Sequence, residues 1–87
     1  MSYLHKDFHI GPEKVVEVQL DKQANVILLD DSQYQNYRNG RGGFRYYGGI
    51  ANQSPVRISP PHYGHWHLVI DLGGAGGTLR HSVRIIG

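Results

Sequence analysis

The 87-residue sequence has no cysteine, one tryptophan and one methionine. The absence of cysteine excludes disulfides, a thiolate nucleophile and a cysteine-based zinc site. No apolar run is long enough to span a membrane, and no signal-peptide-like apolar segment follows Met1. We therefore expect a cytoplasmic protein with no membrane partner. Its length predicts one domain, covering residues 1–87.

Acidic residues are scarce in the second part of the chain, where Asp71 is the one acid after residue 31. The other six acids and all three lysines lie within residues 1–31, whereas all six arginines lie within residues 32–87. Arginine suits planar, two-pronged contacts with carboxylate or phosphate better than lysine does. This segregation favours an anionic small molecule or an acidic protein surface as the partner.

Short segments of alternating polarity indicate strands over residues 3–10, 15–20, 44–47, 56–58, 64–72 and 79–86. Residues 25–29 carry apolar side chains at both odd and even positions, which predicts a strand covered on both faces. Asp30, Asp31 and Ser32 offer a helix cap, so one short helix is expected near residues 32–39, with Gly40 after its end. The predicted fold class is all-β: a small sandwich or barrel of about seven short, mostly antiparallel strands.

The strongest strand signal covers residues 64–72, which contain the tryptophan and two histidines. Trp66, Leu68 and Ile70 share one face, while His65 and His67 lie on the other, because side chains alternate along a strand. This segment is predicted to be the central strand of the domain.

The last two strands are predicted to form an antiparallel hairpin with a loop over residues 73–78. Pairing Leu72 with Leu79 aligns their apolar faces, whereas a shift by one residue would turn one set to solvent. The same register predicts an ion pair between Asp71 and Arg80.

The predicted hairpin also gathers basic side chains on one face: His65, His67, Arg80 and Arg84. Imidazole and guanidinium groups are planar donors that suit a phosphate or a carboxylate. Our leading hypothesis is a non-catalytic binding or sensor module that uses this face for an anionic ligand or acidic partner. Self-association is left open.

A metal site is the first alternative. His65 and His67 point to the same side of a strand, as metal-binding histidines do in cupin enzymes. The glutamate expected as a third ligand is missing, although His62 would complete a three-histidine set. The predicted position of Arg84 beside His67 also disfavours a cation. We therefore rank a cupin-like metalloenzyme below the anion hypothesis and predict no cofactor.

The second alternative is a nucleic-acid surface made of Tyr34, Arg38, Arg41 and Arg45. Aromatic rings and arginines are typical of single-strand-binding surfaces. The net charge of +2 is modest for that role, and the tyrosines are also needed to fill a small core. We rank this alternative last. No serine lies in a nucleophile elbow, so an enzyme is not expected.

Several segments together resemble one bacterial protein family. These are residues 29–40, 47–49, 54–56 and 64–74, the last reading Gly-His-Trp-His-Leu-Val-Ile-Asp-Leu-Gly-Gly. The sequence is similar, over nearly its whole length, to the family catalogued as domain of unknown function eighteen eighty-three. The resemblance implies a mainly β fold with no assigned activity or functional residues. Some members are fused to TIR domains, which implies an accessory or sensing role in bacterial signalling or defence.

Overall fold

The computed structural model describes residues 3–71 and 79–87. Its elements in chain order are β1 (Tyr3–Ile10), β2 (Val15–Leu20), β3 (Ala24–Asp30), α1 (Asp31–Arg38), β4 (Tyr47–Ala51), β5 (Val56–Ile58), β6 (Gly64–Asp71) and β7 (His81–Ile86). The predicted fold class, all-β with one short helix near residues 32–39, is confirmed. The predicted strand at 44–47 differs, since β4 begins only at Tyr47.

The strands form two antiparallel sheets. The four-stranded sheet has the order β1-β6-β3-β4, and the three-stranded sheet has the order β5-β2-β7. Val16 and Val18 of the smaller sheet belong to the same buried cluster as Trp66, Leu68 and Ile70 of the larger one. This cluster is the main core between the sheets.

Strand β3 is buried on both of its faces, as its continuous apolar run predicts. Val26 and Leu28 belong to the main core. Ile27 and Leu29 point to the opposite face, where they form a second buried cluster with Tyr34 of α1. The helix therefore covers the outer face of the four-stranded sheet.

The helix begins because Asp30 caps it: the Asp30 Oδ1 atom accepts a hydrogen bond from the backbone N–H of Gln33 at 2.8 Å. It ends at Arg38, and Gly40 follows with a φ of +72°, a conformation that favours glycine. Within the described ranges, no helix is long and apolar enough to cross a membrane.

The predicted hairpin between the last two strands is wrong. Strand β6 lies between β1 and β3 in the larger sheet, whereas β7 pairs with β2 in the smaller one. The proposed partners Leu72 and the loop at 73–78 lie outside the described residues. The backbone N–H and C=O groups of a buried strand need hydrogen-bond partners along both edges, and β1 and β3 provide them for β6.

Candidate functional site

Strand β1 brings a row of polar side chains beside the two histidines of β6. Asp7 pairs in register with His67, and His9 pairs with His65. Paired residues of antiparallel strands point to the same side, so these side chains share the helix-covered face with His5. Helix α1 adds Asp31 from above. We call His5, Asp7, Asp31, His65 and His67 the histidine–aspartate cluster.

Asp31 is the centre of this cluster. Its Oδ1 atom lies 2.7 Å from Nδ1 of His65 and 2.5 Å from Nε2 of His67. One ligand atom from each of these three residues lies within 4.8 Å of the others, an arrangement that can hold a metal ion. The side chain of Asp31 is 64% exposed and that of His67 only 10%, so the group is open to solvent on the helix side.

A second ring of contacts orients both imidazoles. Nε2 of His65 lies 2.8 Å from Oδ2 of Asp7, and Nδ1 of His67 lies 2.8 Å from Nε2 of His5. Each histidine that contacts Asp31 through one nitrogen is therefore held through its other nitrogen. Such contacts fix the orientation and the tautomer of a histidine ring.

Tyr34 stacks over the pair His5 and His67. Its ring lies 4.4 Å from that of His5 and 4.3 Å from that of His67, with interplanar angles of 10° and 4°. The Tyr34 hydroxyl is 3.1 Å from the hydroxyl of Tyr3. Burial and this contact raise the pKa of Tyr34 to about 12. The tyrosine is therefore neutral at physiological pH, and its ring covers the buried side of the cluster.

The charges around His65 reinforce one another. Both of its ring nitrogens face carboxylates, and the hydrogen bond to Asp7 is the main reason that its pKa is raised. The hydrogen bond from His65 likewise lowers the pKa of Asp7. The hydrogen bond from His67 lowers the pKa of Asp31. Both carboxylates are therefore ionised at neutral pH.

His5 behaves differently from His65. Desolvation lowers its pKa, and the charge of nearby His67 lowers it further. Nε2 of His67 faces the Asp31 carboxylate, and Nδ1 of His67 shares one proton with Nε2 of His5 in a hydrogen bond of 2.8 Å. The cluster thus combines a histidine that favours the charged form with one that favours the neutral form.

The structure brings His65 and His67 together but does not bring the two predicted arginines to them. Arg84 belongs to the three-stranded sheet, where its Nε atom lies 2.5 Å from Glu17. The backbone N–H of Arg80 donates to Asp21 at 2.9 Å. His65 and His67 therefore lie on the four-stranded sheet, whereas Arg84 lies on the three-stranded sheet and Arg80 just before β7.

The structure gives contacts for two further residues that the sequence analysis singled out, Asp71 and His62. The Oδ2 atom of Asp71 accepts a hydrogen bond from the hydroxyl of Tyr37 at 2.8 Å. Nδ1 of His62 lies 3.2 Å from the carbonyl oxygen of Tyr63, and its ring packs against Trp66 at 5.1 Å. His62 is thus not the third member of the metal-like group, and Asp31 takes that place.

The predicted tyrosine and arginine surface is split between core and solvent. Tyr34 is buried in the second cluster. Arg38, Arg41 and Arg45 are exposed. The predicted nucleic-acid surface therefore lacks Tyr34, the one aromatic residue in the predicted set, because that side chain fills the core.

Sequence reasoning missed His5, Asp7 and Asp31. A signal for the first two exists, because His5, Asp7 and His9 occupy alternate positions opposite Leu4, Phe8 and Ile10 of the same strand. The sequence pattern for Asp31 indicated only a helix cap, a role that Asp30 performs. The positions of these polar residues in the sequence do not specify which strand lies beside β6.

The fold and the cluster define a small antiparallel two-sheet domain with a helix-covered histidine–aspartate cluster. A family model described as Domain of unknown function (DUF1883) matches residues 1–87, the whole chain. The chain therefore belongs to this family, as the sequence resemblance predicted. No curated protein and no solved structure matches it.

Proposed function

We propose that this domain is a binding or sensor module whose ligand is a divalent transition-metal ion, held by Asp31, His65 and His67. The observation that supports the proposal most is the convergence of one ligand atom from each of the three residues within 4.8 Å. Two of these residues lie on β6 and the third on α1, so a bound ion would join the helix to the sheet.

The donor set suits a metal such as Zn²⁺. Two imidazole nitrogens and one carboxylate oxygen are ligands that Zn²⁺ accepts, and three protein ligands leave one coordination position for water or another group. Tetrahedral ligand bonds of about 2.0–2.2 Å place ligand atoms roughly 3.3–3.6 Å from one another. The Asp31 oxygen, now 2.7 Å and 2.5 Å from the two nitrogens, would therefore move away from each of them by about 1 Å or less. The exposed side chain of Asp31 has room to make this adjustment.

The surroundings support the same proposal. Histidines that bind metals commonly use their second ring nitrogen for a hydrogen bond to a carboxylate or another acceptor. Asp7 has that position on His65, and His5 contacts the second nitrogen of His67. The two imidazoles are therefore oriented before any ion arrives, which lowers the entropy cost of binding.

A cation fits this face better than the anion that we expected from the sequence. The ring nitrogens of His65 and His67 already face the carboxylates of Asp7 and Asp31. A further anion there would meet two negative charges, whereas a cation would be attracted by them. A sensing role follows if occupancy changes how firmly α1 is held. The cytoplasmic location and the role in bacterial signalling remain parts of this proposal.

The test is calorimetric titration of the tag-free, chelator-treated protein with Zn²⁺, followed by Co²⁺ absorption spectra to report the coordination number. We expect one ion per chain. Asp31→Asn keeps the shape of the side chain but removes its charge, and the double variant His65→Ala/His67→Ala removes both imidazoles. Each should weaken Zn²⁺ binding by more than about 100-fold, beyond the effect typical of residues behind the ligands.

The matched control is His62→Ala, because His62 lies on the approach to the same strand and outside the cluster. Its Zn²⁺ affinity should equal that of the wild type. Absence of stoichiometric binding by the folded wild-type protein would contradict the proposal. Equal binding by wild type and Asp31→Asn would contradict the assigned ligands.

A further inference from the structure

The outer face of the three-stranded sheet carries a second charged group, distant in the topology from the histidine–aspartate cluster. Glu17 lies on the middle strand β2 and pairs in register with Arg57 of β5 and with Arg84 of β7. Oε2 of Glu17 lies 2.9 Å from Nε of Arg57, and Oε1 lies 2.5 Å from Nε of Arg84. One carboxylate thus holds two arginines from opposite sides.

Burial differs sharply within this group. The side chain of Glu17 is 1% exposed, whereas those of Arg57 and Arg84 are 62% and 69% exposed. The hydrogen bond from Arg84 and then that from Arg57 lower the pKa of Glu17, so its carboxylate is ionised at neutral pH. The two guanidiniums are always charged, and the group therefore carries an excess of one positive charge.

The arginines are held in place before any ligand binds. Each guanidinium contacts Glu17 through its Nε atom while most of its surface faces solvent. The terminal nitrogens of a guanidinium are further donors, and a phosphate oxygen is among their preferred acceptors. Fixing two long side chains on one buried carboxylate reduces the entropy that an anionic ligand would otherwise lose on binding.

The neighbours on this face favour a ligand with an anionic end and an apolar end. Val16 faces the core, so Val15, Glu17 and Gln19 point outward, and their register partners Ile86, Arg84 and Ser82 point the same way. Gln19 and Ser82 add neutral hydrogen-bonding groups on one side of the arginines. Val15 and Ile86 add apolar surface on the other side. Among the residues of β2, β5 and β7, Glu17 is the one acid.

We propose that Arg57 and Arg84, positioned by Glu17, form a binding site for a small phosphate monoester. The phosphate lies across the two guanidiniums, and its apolar substituent contacts Val15 and Ile86. This site is separate from the proposed metal site, since it lies on the other sheet. The anionic ligand predicted for Arg84 from the sequence is thus retained, with Arg57 in place of the histidines.

The test is an NMR titration of the metal-free full chain with phenyl phosphate at constant ionic strength, observing the arginine Nε–H signals. Those of Arg57 and Arg84 should shift in a saturable manner. The double variant Arg57→Gln/Arg84→Gln should bind phenyl phosphate at least about tenfold more weakly. Arg57→Lys/Arg84→Lys keeps both charges near Glu17 but loses the planar donors, and it should also weaken binding.

Arg41→Gln/Arg45→Gln is the matched control, because it removes the same charge from two other exposed arginines. It should bind phenyl phosphate as the wild type does. Equal weakening in the control and in the Arg57/Arg84 variants would overturn the site, as would the absence of a saturable shift in the wild type. Neither result bears on Zn²⁺ binding, so the two proposals fail separately.

Discussion

Above the four-stranded sheet, Asp31 of α1 contacts two imidazoles through one oxygen. In the three-stranded sheet, Glu17 contacts two guanidiniums through separate oxygens. The exposure of the acid and of the bases is reversed between the two groups. Asp31 is the exposed member of its group and His67 is buried, while Glu17 is buried beneath two exposed arginines. The same arrangement, one acid between two bases, therefore presents an acid to solvent on one sheet and bases on the other.

The chemical difference between the bases decides what each group can bind. Imidazole loses its proton near neutral pH, so a metal ion can replace the protons that face Asp31. Guanidinium does not lose its proton in proteins, so Arg57 and Arg84 stay cationic and attract an anion. Two polar groups of similar layout can therefore favour ligands of opposite charge.

The largest expected effect concerns the helix cover, which only the first group has. Tyr34 is 7% exposed and stacks on His5 and His67. Tyr34→Ala should lower the free energy of unfolding by about 3 kcal/mol, because it leaves a cavity under α1. Urea denaturation measures the loss. Tyr63→Ala, at a residue that is 68% exposed, should change it by less than about 0.5 kcal/mol.

If Tyr34→Ala lowers the free energy of unfolding by less than about 1 kcal/mol, the helix cover does not distinguish the histidine–aspartate cluster from the arginine group. That result would mean that the histidine–aspartate cluster is as open as the arginine face and that α1 adds little to its order.

A smaller effect distinguishes the arginine group by its pH dependence. The arginines hold the pKa of Glu17 below its ordinary value of 4.5, so Glu17 stabilises the folded state fully above that pH. The contribution is lost as the pH falls through the lowered pKa. Wild type should therefore exceed Glu17→Gln in stability at about pH 7, and the difference should shrink below about pH 4.

Because arginine does not titrate in this range, the difference between wild type and Glu17→Gln should stay level from about pH 6 to about pH 9. Urea midpoints at several pH values provide the measurement. A difference that is the same at low and neutral pH would show that the ionised carboxylate is not what stabilises this face.

The smallest expected effect comes from one hydroxyl at the edge of the first group. Tyr34→Phe keeps the ring that stacks on His5 and His67 but removes the contact with the Tyr3 hydroxyl. We expect a loss of about 1 kcal/mol in unfolding free energy, the usual value for one hydrogen bond. A double-mutant cycle with Tyr3→Phe measures the pair. Additive losses in that cycle would show that the two hydroxyls do not interact.

Local patterns were sufficient for most of the elements. The alternation in residues 3–10 predicted β1, and the continuous apolar run at 25–29 predicted that β3 is covered on both faces. The cap residues at 30–32 and the glycine at position 40 predicted both ends of the helix to within a residue or two. These features depend on neighbours in the chain, so the sequence carries them directly.

Pairing between distant strands was not predictable in the same way. The alternation of side chains along β6 and β7 determined which of them share a face. Several other strands, however, offered an apolar face that could pair with β6. The register of residues 72 and 79 satisfied the pattern and was still wrong, because β6 pairs with β1 and β3. The wrong neighbour also placed Arg84 beside His67, which was the second reason, after the missing third ligand, for ranking a metal site below an anion site.

The sequence by itself determined an all-β domain, the position of its short helix, and the common face of His65 and His67. It also determined that Glu17 points away from Val16 and Val18. Only the tertiary structure decided that Asp31 and Asp7 meet the histidines and that Arg57 and Arg84 meet over Glu17. The physical reason is that periodicity specifies the direction of a side chain, whereas its partners depend on which strands share hydrogen bonds.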